Sequence, residues 1–368
     1  MSQSDTTVNR RSFLKTSLAA TTAMALPIPA FAADGVLNVA LIAPSPAADV
    51  GWSHTLELGT KALEAKYGDK IKVTLLENVA EGPDADRIMN KTVSDGTTFL
   101  ILGSFGYMEG GLKLAKAHPE VSILHASGYK TAPNFSPFGA RYYQGTYLMG
   151  MAAASLSKSK KLGCVGAFAI PELITSINAF TLGAQSVDPS IEVSVVWVNS
   201  WFDPASEQQA AKALMAQGVD VIFSNAQDTP SVIHTAEEAG VYAFNLNSSM
   251  KVYAPKKYLG VVGTDWSPFF LSSVAAHLAG TFKGATAWLG MAEKCVFVTD
   301  WNPDIPADIV AKIADVQAKI ISGAFSPFTG PITDQSGAEH VAAGVTLGDD
   351  MILSMDWHVK GVTTPLPK

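Results

Sequence analysis

The sequence is poor in cysteine and in positive charge. Its 368 residues include two cysteines, and 26 lysines and arginines stand against 33 aspartates and glutamates, a formal net charge of −7. Two cysteines cannot build a disulfide-rich scaffold. An acidic chain without basic runs is unlike proteins that bind nucleic acids or anionic membranes, so we expect neither partner.

Catalytic signatures are lacking as well. The sequence has no Gly-x-Ser-x-Gly turn, no Gly-x-Gly-x-x-Gly or phosphate-binding loop, and no His-Glu-x-x-His pair. The seven histidines show no spacing typical of a metal site. These absences predict a protein that is not an enzyme and that needs no cofactor and no metal ion.

The two cysteines lie in apolar, strand-like runs. Cys164 is within residues 162–168 and Cys295 begins residues 295–298. This setting favours two buried thiols over a disulfide, although sequence alone cannot show whether the two side chains meet.

The N-terminus has the three regions of a secretory signal in the right order. Arg10 and Arg11 come first, the small and apolar residues 16–26 follow, and Ala30-Phe31-Ala32 ends the segment. The arginine pair indicates the twin-arginine (Tat) route, so we expect residues 1–32 to be a signal peptide. The apolar stretch is too short for a stable membrane span, and neither cysteine lies at the cleavage site. We therefore expect a soluble periplasmic protein without a stable membrane anchor.

After the signal, short apolar runs alternate with longer amphipathic ones. The strand candidates are residues 36–43, 73–76, 99–103, 122–126, 162–168, 193–198, 219–224 and 242–246. They are apolar on both faces, as parallel strands covered by helices must be. The alternation predicts an α/β fold with parallel sheets. It restarts after residues 138–142, which indicates two sheets with a cleft between them.

Aromatic and polar residues follow the predicted strands. Ligands of parallel sheets bind beyond the carboxyl ends of the strands. The candidate ligand-binding residues at these ends are Ser45, Asp49, Trp52, Tyr107, His125, Phe168, Trp201, Asn225, Asn247, Asp265 and Trp266. Tryptophan faces beside amide and carboxylate groups suit a flat, polar, uncharged ligand, and a sugar suits the same residue types.

Several candidates also have a structural interpretation. Trp52 and Trp201 can be core aromatics, His125 can be a buried histidine, and Asp265 can cap a helix that begins near Ser267. Both tryptophans fall just past a strand end beside polar residues, which favours the ligand interpretation.

Three segments resemble the basic membrane protein family of ABC-transporter substrate-binding proteins, which includes purine nucleoside receptors. Residues 49–53 are similar to the family's segment after the first strand, 142–154 followed by 160–163 to its start of the second lobe, and 199–204 to its Gly-Ser-aromatic-x-Asp segment. The resemblance extends over roughly residues 36–325.

The resemblance implies a class I periplasmic binding protein with two Rossmann-like lobes and a three-crossover hinge. We place the crossovers near residues 140, 247 and 265, so that 33–140 and 248–264 form one lobe and 141–247 and 265–368 the other. It also implies a small-molecule ligand and an ABC permease as partners. The ligand is expected to stack between Trp52 and Trp201, and His125 stands where members often carry an acid.

The family's nucleoside binders hold ribose with an acidic segment and a lysine. Here Asn247 and the Asp265-Trp266 region stand in those places. Trp266 is bulky enough to fill the ribose space, and a carboxylate such as Asp265 accepts from an exocyclic amine. We therefore expect a purine base, adenine first. A purine nucleoside or another ligand such as a flavin or a sugar is the alternative, and an exported nucleoside hydrolase is a third.

Overall fold

The computed structural model describes residues 35–367, so the predicted signal peptide 1–32 lies outside the described part of the chain. The strands are β1 Leu37–Ile42, β2 Ile71–Leu76, β3 Phe99–Leu102, β4 Ser122–Ala126, β5 Phe135–Ala140, β6 Lys161–Gly166, β7 Glu192–Trp197, β8 Val221–Asn225, β9 Tyr242–Asn247, β10 Tyr258–Thr264, β11 Ala287–Leu289, β12 Val296–Thr299, β13 Ile332–Thr333 and β14 Glu339–Val341. The helices are α1 Trp52–Tyr67, α2 Pro83–Ser94, α3 Met108–Ala117, α4 Tyr142–Leu156, α5 Pro171–Gln185, α6 Pro204–Ala216, α7 Ser231–Ala239, α8 Ser267–Leu278, α9 Ala307–Ser322 and α10 Asp349–Leu353.

The first sheet has the strand order β11-β5-β4-β3-β1-β2, and all its pairings are parallel. Every residue of β3, β4 and β5 is buried, because helices cover both faces. We call this sheet, with α1, α2, α3 and α8, lobe 1.

The second sheet has the order β12-β10-β9-β8-β6-β7. Its pairings are parallel except that the edge strand β12 runs antiparallel to β10. We call this sheet, with α4 to α7 and α9, lobe 2. The α/β fold with two mainly parallel, Rossmann-like sheets predicted from the sequence is thus confirmed.

The chain passes between the lobes three times, but not at all three expected places. It leaves lobe 1 at Arg141, between β5 and α4, and returns to lobe 1 after β10, because α8 packs on α1. It enters lobe 2 again between β11 and β12.

The lobe boundaries therefore differ from those expected from the sequence. The segment 248–264 contains β10, which pairs with β9 in lobe 2, so no crossover occurs near 247. The segment 265–368, expected in lobe 2, contains α8 and β11 of lobe 1. The reason is that β10 is buried along its whole length and extends the lobe 2 sheet before the chain crosses.

Within residues 35–367, Cys164 and Cys295 are buried and free, as their apolar runs predicted. Among the helices described, none has the length and hydropathy of a membrane span. A search of the same residues for three or more metal-binding side chains in one place finds no such group.

Candidate ligand site

The strand ends of the two lobes border a partly open cavity of about 480 Å³, a volume that includes the solvent space at its mouth. Polar and aromatic side chains from both lobes line it, as expected where the carboxyl ends of two parallel sheets face each other. The lining residues are Pro44, Trp52, Gly103, Ser104, Phe105, Ala126, Ser127, Tyr142, Ile170, Glu172, Leu173, Trp201, Ala226, Asp228, Leu246 and Asn247.

Trp52 is the lobe 1 tryptophan of the cavity, and its ring is held by protein contacts. It is the first residue of α1, and its indole Nε1 donates a hydrogen bond to the Gly103 carbonyl over 2.7 Å. The Trp266 ring meets it edge-on, with 5.7 Å between centroids and 84° between planes. The ring is therefore oriented by the fold, which lowers the entropy cost of stacking a ligand on it.

Trp201 is the lobe 2 tryptophan. Its ring packs on Phe168 at 4.7 Å between centroids, and its carbonyl accepts from the Asp228 amide over 3.1 Å. The indole Nε1 is buried and has no hydrogen-bond partner within residues 35–367. Cavity walls with tryptophan rings thus come from both lobes.

Asp228 reaches across the cleft from the loop after β8. Its carboxylate accepts from the Trp52 backbone amide over 2.7 Å and from the Ser45 hydroxyl, both in lobe 1. Burial raises the pKa of this carboxyl to about 6, although both hydrogen bonds act in the other direction. Asp228 therefore links the lobes and also faces the cavity.

The other polar groups of the lining come from the first crossover and from the strand ends of lobe 2. The Tyr142 hydroxyl donates to Asn247 Oδ1 over 2.5 Å, and Asn247 itself has a φ of 78°. Glu172 lies in the first turn of α5 and is partly buried. Burial raises its pKa to about 7, although the Ser127 side chain acts in the other direction.

The structure brings three of the candidate residues to the cavity wall: Trp52, Trp201 and Asn247. Two more lie directly behind the wall and support it. Ser45 donates to Asp228, and Phe168 packs on Trp201.

Three candidates lie inside the lobes. The Tyr107 hydroxyl donates to the Val79 carbonyl, and Asn225 Nδ2 donates to the Leu173 carbonyl over 3.1 Å. His125 is fully buried and stacked on Phe135, and burial lowers its pKa to about 4, so the ring is neutral at pH 7. These strand-end side chains point into the packed layers of the lobes.

The remaining three candidates also lie outside the cavity. Asp49 is exposed. Asp265 is exposed, and its carboxylate accepts from the amide of Ser267, the first residue of α8, over 2.9 Å. Trp266 is completely buried against Trp52, so it does not occupy space beside a ligand.

Glu172 and Asp228 line the cavity but were not among the candidates. Both follow a strand end, as the two tryptophans do, Glu172 after β6 and Asp228 after β8. No local pattern shows that their carboxylates are turned inward, since acids at helix starts are common on protein surfaces.

Comparison with known proteins decides the family. A family model described as "ABC transporter substrate-binding protein PnrA-like" matches residues 36–326. The chain belongs to this family. A twin-arginine translocation signal model matches residues 7–27. The protein is thus an ABC-transporter substrate-binding protein that is exported to the periplasm by the Tat route and takes a small-molecule ligand and a permease as partners.

Two relatives extend the match. The chain is 41% identical over 336 residues to a purine-binding protein of Brucella abortus, covering 91% of this chain and 95% of the relative. It is 30% identical to a Haloferax volcanii protein provisionally named as an ABC transporter glucose-binding protein, covering 80% and 74%.

Solved structures agree on the fold. An ABC transporter solute-binding protein of Aeropyrum pernix superposes with a TM-score of 0.69 at 18% identity, covering 83% of this chain and 94% of that one. A Conexibacter woesei solute-binding protein gives 0.63 at 20%, covering 79% and 98%. At such identities the agreement shows the fold alone.

Proposed function

We propose that this substrate-binding protein captures a purine base, adenine first, in the cavity between its lobes and delivers it to an ABC permease without chemical change. The observation that carries the proposal is the pair of tryptophans, Trp52 from lobe 1 and Trp201 from lobe 2, in the wall of one cavity. Stacking of a base on an aromatic ring is worth about 1–3 kcal/mol.

The charge of the lining supports an uncharged ligand. Its ionisable groups are the acids Glu172 and Asp228 and the hydroxyl of Tyr142, and among residues 35–367 no lysine, arginine or histidine lines it. A phosphate or carboxylate ligand needs cationic donors, which the wall lacks. Carboxylate oxygens accept from N–H and NH₂ groups, and adenine has both.

The Brucella relative's name supports a purine, whereas the Haloferax relative's name favours a sugar. A hexose has hydroxyls around its whole ring and needs polar partners on every edge. Most of this wall is apolar, including Pro44, Ile170, Leu173 and Leu246. A flat base with two apolar faces fits such a wall better.

The structure supports the preference for a base over a nucleoside less strongly than the sequence did. Trp266 is packed behind Trp52 and does not exclude a ribose. A second, partly open hollow of about 560 Å³, a volume that includes solvent space, shares Phe105, Ser127, Ile170 and Glu172 with the first. The preference for a base therefore depends on Asn247, an amide where the nucleoside binders have an acidic segment. The Oδ1 atom of Asn247 accepts a hydrogen bond from the Tyr142 hydroxyl.

Competitive native mass spectrometry tests the proposal. Ligand-stripped protein is mixed with equimolar adenine, adenosine and glucose, and the mass of the complex identifies the bound compound. We expect the adenine complex to dominate, with the small molecules recovered unaltered. A dominant glucose complex would support the sugar alternative, and adenine released from adenosine would support the hydrolase.

A further inference from the structure

Three acidic side chains of lobe 2 are shielded from water, Glu207 and Asp228 almost completely and Glu172 in part, and they differ in the hydrogen-bond donors that surround them. Burial raises the pKa of Asp228 to about 6 and those of Glu172 and Glu207 to about 7. A carboxylate removed from water is stable only when donors replace the lost water. The number of protein donors around each acid therefore indicates whether its role is structural or whether it is open to a ligand.

Two of these acids find their donors in the protein. Asp228 accepts from the Trp52 amide and the Ser45 hydroxyl. Glu207 is completely buried and accepts from the Thr229 hydroxyl and, over 3.2 Å, from the Asp203 amide. Their roles are structural: Asp228 joins the lobes and Glu207 fixes the start of α6.

Glu172 lacks a comparable set. Within residues 35–367, the Ser127 side chain is the one donor that acts to lower the pKa of Glu172, and no cation does so. The nearby Tyr142 hydroxyl donates its hydrogen bond to Asn247 Oδ1 instead. Glu172 lines the cavity between the tryptophans as well as the adjoining hollow. Its unused acceptor positions are thus next to the space that a ligand would fill.

We propose that Glu172 is a specificity-determining residue whose carboxylate accepts a hydrogen bond from an N–H group of the bound heterocycle. This inference rests on the proposed function, because it concerns the purine in the same cavity. The ligand supplies the donor that the protein omits, and a compound with a lone pair or a methyl group at that edge leaves the carboxylate unpaired.

Adenine offers two kinds of N–H donor, the exocyclic amine and the ring N–H. Each can be removed separately, by N6,N6-dimethylation or by 9-methylation. If Glu172 accepts from one of them, the penalty for methylating that nitrogen depends on Glu172, and a double-mutant cycle of residue and ligand measures the dependence.

The experiment is calorimetric titration of adenine, 9-methyladenine and N6,N6-dimethyladenine into the ligand-stripped wild type and Glu172→Gln. Gln keeps the size of the side chain and removes the charge. Glu64→Gln is the matched control, since Glu64 is an exposed residue of α1. Circular dichroism verifies that each variant is folded, and the adenine complex of the wild type is crystallised.

Glu172→Gln is expected to weaken adenine binding roughly 10- to 100-fold, the value of a hydrogen bond to a charged group. The adenine affinity of Glu64→Gln should stay within about twofold of the wild-type value. The loss of affinity caused by one of the two methylations should be at least about fivefold smaller in Glu172→Gln than in the wild type. In the crystal, a Glu172 oxygen should lie within hydrogen-bond distance of a ligand nitrogen.

Adenine affinity within twofold of wild type in Glu172→Gln, or a crystal with no ligand nitrogen near Glu172, overturns the inference and leaves purine capture standing. Failure of the wild type to bind adenine or either analogue overturns purine capture and this inference together.

Discussion

The Asp228 carboxylate of lobe 2 accepts a hydrogen bond of 2.7 Å from the backbone amide of Trp52 in lobe 1. Trp52 is also the residue whose ring lines the cavity. A second contact lies alongside, where the Gly51 amide donates to Ser248 Oγ over 2.8 Å. Closure of the two lobes therefore fixes the backbone of the residue proposed to stack on the ligand.

Asp228→Ala tests this link between closure and binding. The variant loses two hydrogen bonds between the lobes, so adenine affinity should fall roughly 10- to 100-fold. Asp69→Ala, which removes an exposed acid of lobe 1, should be neutral. Small-angle scattering should show a smaller radius of gyration for the wild type on saturation. An unchanged radius would count against hinge closure, and unaltered affinity in Asp228→Ala would remove its linking role.

Trp52→Ala tests stacking. Loss of one base–aromatic contact of about 1–3 kcal/mol predicts binding weaker by roughly 5- to 150-fold. Trp52→Phe should be intermediate, because phenylalanine keeps an aromatic face but loses the hydrogen bond to Gly103. Calorimetry on folded variants measures both. Affinities within about twofold of wild type, well below the stacking range, would leave Trp52 with a packing role only.

Gly51→Ala tests the close approach of the lobes. Gly51 has a φ of 94°, and an added Cβ would lie 3.0 Å from Asp228 Oδ1. Gly82, before α2, is the matched control, with a φ of 100° and open space around the added atom. Both variants should lose about 1–2 kcal/mol of stability from backbone strain.

Only Gly51→Ala should also weaken adenine binding, because only there does the new methyl group meet the opposite lobe. Equal adenine affinities for the two variants, measured by calorimetry, would show that the approach of Gly51 to Asp228 does not matter for binding.

The pH dependence of stability tests the burial of Asp228. Its pKa is raised from an ordinary 3.8 to about 6, so the folded protein holds the proton more tightly than the unfolded chain. The stability contributed by this group is complete below its unfolded pKa and is lost as the pH rises through about 6. The histidines His125, His277 and His358, with pKa values lowered to about 4, act in the opposite direction.

Subtraction of the Asp228→Asn variant isolates the aspartate, since the histidines are present in both proteins. The free energy of unfolding of wild type minus that of Asp228→Asn should fall as the pH rises from roughly 4.5 to 7.5. Chemical denaturation at several pH values measures it. A difference that is flat, or that rises with pH, would show that the carboxyl is not buried as described.

The sequence predicted the fold well, because its evidence was local. Runs such as Phe99–Leu102 are apolar on both faces, as a parallel strand covered by helices must be. The crossover expected near 247 failed for a non-local reason. β10 joins the lobe 2 sheet because it pairs with β9, and the sequence of β10 itself does not indicate that partner.

The site was only partly predictable. Strand ends were the right places to search, but a strand-end residue faces either the cleft or the packed layer beneath it. Tyr107 and His125 face the packed layer, whereas Trp52 and Trp201 face the cleft. The position of Asp228 depends on contacts with Ser45 and Trp52, more than 170 residues away in the chain. Such a contact leaves no local pattern in one sequence.

Titration of adenine into the ligand-stripped wild type, with glucose titrated in parallel, distinguishes purine capture from sugar capture. We expect one adenine per chain with a dissociation constant of about 1 μM or lower, near −8 kcal/mol or beyond, and no saturable heat with glucose. Saturable binding of glucose with none of adenine would contradict purine capture.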